Sequence, residues 1–112
     1  MALLTTQSID STGVTPSFAA ADENGDSYAN GPTTYFHVIN DNVGTVTLTF
    51  SSTVTNADPG TIATDKTLAI PTGEQRIIWL NALGFNDGNG RVSVAYDDHT
   101  DVTVGVFRTP LS

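Results

Sequence analysis

Cysteine is absent from the 112-residue chain, so neither a disulfide framework nor a thiolate metal site can hold the fold, and stability has to come from burial or assembly. Basic side chains are nearly as scarce: Lys66, Arg76, Arg91 and Arg108 stand against twelve carboxylates, a formal net charge of -8. Duplex binding needs clustered Lys and Arg to neutralise phosphates, so nucleic acid is not an expected partner. The same field draws the chain toward basic surfaces or bound cations. No segment approaches the roughly 18 consecutive apolar residues of a membrane span, and residues 1–7 carry neither a basic stretch nor a long apolar run. A soluble protein with no membrane partner and no evident export leader is expected.

What is present is β-forming. Threonine is the commonest residue, at 18, and valine is frequent, with ten Gly and five Pro as punctuation. β-branched side chains lose rotamer freedom in helices and pack well on a pleated surface, so the chain reads as all-β with almost no regular helix. One domain over 1–112 suits the length, with residues 1–14 a candidate extended amino-terminal arm.

Alternation locates the strands. Val92, Val94 and Tyr96 share one face, as do Val102, Val104 and Val106, and the polar cluster between the two runs predicts a closing hairpin. A second hairpin is predicted from residues 34–39 and 45–51, where Val46, Leu48 and Phe50 alternate with threonines. Short strands are expected near 3–7 and 17–20, and further ones at 66–70 and 75–80. Strands 34–39 and 75–80 carry apolar residues on both faces, so both are expected to be buried on both sides; core packing is the simpler expectation for Trp79, and projection from the sheet to stack against a sugar or another subunit is the alternative. Residues 82–85 read as a half-strand or tight bend. Residues 21–32 and 53–65 read as long loops. About seven or eight short strands with turns between them suggest a single-domain antiparallel β-sandwich, jelly-roll-like, whose long connections suit crossings between layers.

Candidate chemistry is thin. Asp22, Asn24 and Asp26 place oxygens at alternate positions, as a calcium loop does. The glycine comes before the third ligand position, however, and Thr33 stands where a bidentate Glu is needed. An acidic solvated turn is the favoured reading, with calcium the weak alternative and no cofactor expected. Asp97, Asp98, His99 and Asp101 form a second polar cluster that holds one imidazole and reads as a solvated turn. His37 has no nucleophile signature near it, and the acidic residues show no paired arrangement for glycoside hydrolysis. An enzyme is not expected. Phe107 is placed opposite Val102, Val104 and Val106 and becomes the clearest candidate for contact with another chain, together with Leu3, Leu4, Tyr35 and His37.

Four stretches taken in order resemble a family of small tailed-bacteriophage structural proteins: Thr34-Tyr35-Phe36-His37-Val38-Ile39-Asn40, Ile70-Pro71-Thr72-Gly73-Glu74-Gln75-Arg76, Phe85 to Tyr96, and Val102-Thr103-Val104-Gly105-Val106. The resemblance spans residues 33–108 and departs most between 52 and 65. It implies a head decoration or cement protein made in the host cytoplasm and carried on the virion head surface. The implied partner is the major capsid protein, and the implied assembly a homo-oligomer, with a trimer favoured. A carbohydrate-binding or adhesin-like virion module using loop 21–32, or a tail or neck component, are the alternatives.

Overall fold

The computed structural model describes residues 2–52 and 65–109. They form ten strands and one helical turn: β1 Ala2–Leu4, β2 Thr6–Ser8, β3 Ala19–Ala20, β4 Asp26–Ala29, β5 Thr34–Asn40, β6 Val46–Phe50, β7 Lys66–Ile70, β8 Gln75–Ile78, α1 Ala82–Phe85, β9 Arg91–Tyr96 and β10 Val102–Arg108. The strands make two mixed sheets. The first has the order β1-β4-β9-β6-β7, the second β2-β10-β5-β8, with β3 also on β10. β1 lies parallel to β4 and β2 parallel to β10; the other pairs are antiparallel.

The inward faces of both sheets fill one core. Tyr28, Val46, Leu48, Phe50, Ile70, Val92 and Val94 come from the first sheet, and Phe36, Val38, Val102, Val104 and Val106 from the second. Along β5 and β6 burial alternates residue by residue, as the sequence period requires. Phe36 joins the sheets at the centre. Its ring stacks on Tyr28 at 5.3 Å between centroids and meets Phe50 edge-on at 5.7 Å.

Neither predicted hairpin forms. β9 belongs to the first sheet and β10 to the second, so residues 97–101 carry the chain across the core; β5 and β6 are separated in the same way. The alternation of both valine runs is retained, because each presents its valines to the shared interior from a different wall. Antiparallel pairing is instead nested: β3 with β10, β4 with β9, β5 with β8, and β6 with β7. The expectation of an all-antiparallel arrangement of seven or eight strands is corrected by the two parallel edge strands and by β4. That strand lies inside the stretch read as a loop at 21–32. The chain's amino-terminal stretch is likewise not a free arm from residue 2 to 8, since β1 and β2 pair within their own chain. Residues 53–64 of the predicted long excursion lie outside the described residues.

At 82–85 the chain makes a helical turn rather than a half-strand. Asn81 caps it, its Oδ1 accepting from the Gly84 amide at 2.7 Å.

Candidate functional site

Two surface regions stand out, and each is built by the topology. The first is the outer face of the second sheet. Tyr35, His37 and Ile39 of β5 point away from the core, flanked by Phe107 and Gly105 on β10 and by Ile77 on β8. Gly105 leaves a flat spot into which Phe18 packs: a Cβ there would meet the Phe107 Cε2 at 2.9 Å and the Phe18 Cδ1 at 3.1 Å. Phe18 is held over the sheet by its neighbour Ser17, whose carbonyl accepts from the Gln7 Nε2 and whose amide donates to the Gln7 Oε1, both at 2.8 Å. The ring of Phe18 lies edge-on to His37 at 5.1 Å and to Phe107 at 5.8 Å, and Tyr35 stacks on Phe107 at 5.5 Å.

Phe107 is therefore only 2% exposed, which overturns the expectation that it projects into solvent. It does face outward, but the segment ending in Phe18 forms a lid. Tyr35 and His37 are half-buried at the rim of that lid, and the His37 Nε2 lies 2.6 Å from the Gln75 Oε1. Beyond the rim the lid ends. Ile77 is 64% exposed and Trp79 57% exposed, so the predicted burial of both faces of β8 is corrected and Trp79 is not a core residue. The indole is nevertheless fixed, its Nε1–H donating to the Pro32 carbonyl at 3.1 Å. Among the described residues β8 pairs only with β5, so the exposed pair borders an unpaired sheet edge. Nothing in the apolar run of β8 distinguished its uncovered face in advance.

Leu3 and Leu4 part company across β1. Leu3 is 54% exposed on the outside, while Leu4 packs against the core, which removes Leu4 from the solvent-facing candidates.

The second region is one end of the two-sheet body. The connections 21–25, 41–45, 71–74 and 97–101 meet there and are tied together by backbone bonds: Asn40 N–H to Glu74 O at 2.9 Å, Asp41 N–H to Asp101 O at 3.0 Å, and Ala21 N–H to Val102 O at 2.9 Å. Asp101 adopts a left-handed φ of 56° to close its turn, a conformation Asp tolerates better than most residues. The Asp22–Gly25 turn is self-contained. Asp22 Oδ1 accepts from the Asn24 amide at 2.8 Å, and Gly25, at φ 88°, lies so close to β9 that a Cβ would meet the Val94 carbonyl at 2.7 Å.

Asp26, the third of the candidate calcium ligands, is no longer in the loop. It is the first residue of β4 and is 0% exposed, with its Oδ2 accepting from the Tyr96 hydroxyl at 2.7 Å and from the Asp22 amide at 3.3 Å. Its Oδ1 is buried without a hydrogen-bond partner. A cavity of about 810 Å³ opens beside it, between β1 on one sheet edge and β2, β3 and β10 on the other. Among the described residues no three His, Asp or Glu side chains converge as metal ligands do.

Two phenols near this end report on the burial. Tyr28 is held well above the ordinary tyrosine value of 10.0 by burial; Tyr96 is raised by burial first, then by its hydrogen bond to Asp26 and the nearby carboxylate charges. Because the folded pKa is raised, the proton is held more tightly folded than unfolded. This stability is fully present below about pH 10 and is lost as pH rises above it. Phenolate absorbance from Tyr28 and Tyr96 is expected to appear together with loss of β-sheet circular dichroism, not before it. A spectrophotometric titration in which both ionise while the sheet signal is intact would contradict the burial argument.

Comparison with family models, with curated proteins and with solved structures returns no match.

Proposed function

We propose that this chain is a virion structural protein, a head decoration or cement protein that binds the outer surface of an assembled phage capsid and holds neighbouring subunits together. The reading rests first on topology. The nested pairs β3·β10, β4·β9, β5·β8 and β6·β7 are those of one long antiparallel ribbon folded across two layers, which supports a jelly-roll β-sandwich with β1 and β2 as added edge strands. Jelly rolls recur in viral capsid and lectin domains, and fold alone does not choose between them.

The observation that carries the adhesive reading is the exposed pair Ile77 and Trp79 beside an edge of β8 that no described strand pairs, continuous with half-buried Tyr35 and His37. A fixed, solvent-facing indole on an apolar strip is what a protein interface is built around. In this role the protein acts as a homo-oligomer, with a trimer favoured, and buries surface that exists only on the assembled shell. Binding that state alone stabilises it by mass action.

The test is the solution mass followed by cosedimentation with unexpanded and expanded heads. An oligomer that pellets only with expanded heads is expected, with affinity reduced at least tenfold by Trp79→Ala, the order of an interface hot spot. A monomer that ignores heads and is retained on a glycan array through Trp79 would replace this reading with the saccharide-binding one, which the same exposed indole favours.

A further inference from the structure

The acidic residues are not spread evenly over the surface. The end at which residues 21–26, 41–45, 71–76 and 97–101 meet holds eight of the eleven carboxylates among the described residues and one of the four Lys and Arg side chains, Arg76. That guanidinium is already engaged by Glu74 at 2.8 Å. Lys66, Arg91 and Arg108 all belong to the opposite end, where they balance Asp10, Asp65 and Asp87. Among the described residues the excess negative charge is thus almost wholly that of one pole.

Charge alone would make this a solvated surface. The buried carboxylate of Asp26 supplies the second observation. It lines the cavity at the pole and has one oxygen with no hydrogen-bond partner, a costly state for a carboxylate removed from water. The cavity is lined by apolar Leu4, Val104 and Val106 and by polar groups that include Asp22, Glu23 and His99 as well as Asp26. A mixed lining of apolar side chains and carboxylates suits an aliphatic stem with a cationic head, as Lys and Arg carry. A divalent metal is a poorer fit, because no three His, Asp or Glu side chains converge among the described residues.

We propose that this pole is a docking surface for a basic segment of a partner protein, and that the cavity takes one of its lysine or arginine side chains with Asp26 as counter-charge. Glu23, Asp41 and Asp101, exposed around the pole, offer further contacts that a segment with several cations can use together and a lone amine cannot. The inference does not depend on the partner being a capsid.

The experiment is an amide NMR titration of the full chain at low salt with a hexalysine peptide, with n-butylammonium and calcium chloride as parallel arms. The peptide is expected to move residues 21–26, His99 and Asp101 saturably, and Asp26→Asn to weaken it about tenfold. Asp10→Asn, which removes the same charge away from the pole and keeps the acceptor for the Thr12 amide, is expected to weaken it less than twofold. Should Asp26→Asn fail to fold, Glu23→Gln on the exposed turn is expected to weaken binding about threefold. Equal effects at Asp10 and the pole, shifts centred elsewhere, or equally tight binding of butylammonium or calcium at the same residues would each overturn the proposal.

Discussion

Phe36→Ala is expected to destabilise the protein by about 3–5 kcal/mol, the upper range for loss of a buried aromatic. Phe36 is 0% exposed and lies where the two sheets approach, with Tyr28 on one side of its ring and Phe50 on another. Those partners belong to β4 and β6 of the facing sheet, each locked into its own hydrogen-bonded ladder. The walls therefore cannot close over the hole, and the cavity term adds to the lost transfer energy. A domain of this size is held by roughly 5–15 kcal/mol, so the variant should be partly unfolded at moderate temperature. Urea denaturation gives the measurement: a lower midpoint with an unchanged slope. Phe36→Leu, which keeps most of the volume, is expected to cost less than about 2 kcal/mol. Equal losses for the two variants would mean that the ring stack and not the volume carries the effect.

The same residue marks how far the sequence could be read. Alternation in Tyr35-Phe36-His37-Val38-Ile39 places Phe36 and Val38 on one face, and the structure puts both at 0% exposure. Period two reports which face a residue occupies and says nothing about which strand lies alongside. Residues 97–101 could close a hairpin or span the gap of about 10 Å between facing sheets, and both uses produce the same polar cluster between two valine runs. The chain takes the second course at both predicted hairpins. β4 escaped notice for a different reason: in Asp26-Ser27-Tyr28-Ala29 only Tyr28 is a large apolar side chain, so no alternation exists to be seen, and its pairing with β9 comes wholly from tertiary context.

Surface features divided along the same line. β5 and β8 both carry apolar residues on two faces, and the sequence treats them alike. β5 is central, and the Gly105 flat spot beside it admits Phe18 as a lid; β8 is at the edge, where no described segment covers Ile77 and Trp79. The lid depends on Gln7 clasping Ser17 from ten residues away, a contact with no local sequence signature. The acidic pole was equally hidden, since its carboxylates come from four separate connections that only the fold assembles. The net charge was legible, and its concentration at one end was not.

Asn40→Ala is expected to cost about 2–4 kcal/mol, although it removes only a small polar side chain. Asn40 ends β5, is 0% exposed, and satisfies three backbone groups at once. Its Nδ2 donates to the Ile70 carbonyl at 2.8 Å and the Gly44 carbonyl at 3.1 Å, and its Oδ1 accepts from the Asn42 amide at 2.8 Å. Ile70 ends β7, so this one amide ties the second sheet to the first at the acidic pole. Truncation leaves the Gly44 carbonyl and the Asn42 N–H without this partner and takes from the Ile70 carbonyl, which also faces Val46 in the β6–β7 ladder, its second donor, and a buried group left unpaired forfeits its full desolvation energy. Asn40→Asp separates donor from acceptor: the bond from Asn42 can persist while both donations are lost, and a new charge is buried amid carboxylates. At neutral pH it should therefore cost more than alanine. The burial raises the new carboxyl's folded pKa, so the folded state binds its proton more tightly and the deficit shrinks as pH falls toward the ordinary carboxylate range. Thermal unfolding of both variants at pH 7 and pH 5 reads out this crossing; a deficit for Asn40→Asp that does not change with pH would show that the side chain reaches solvent instead of the buried junction.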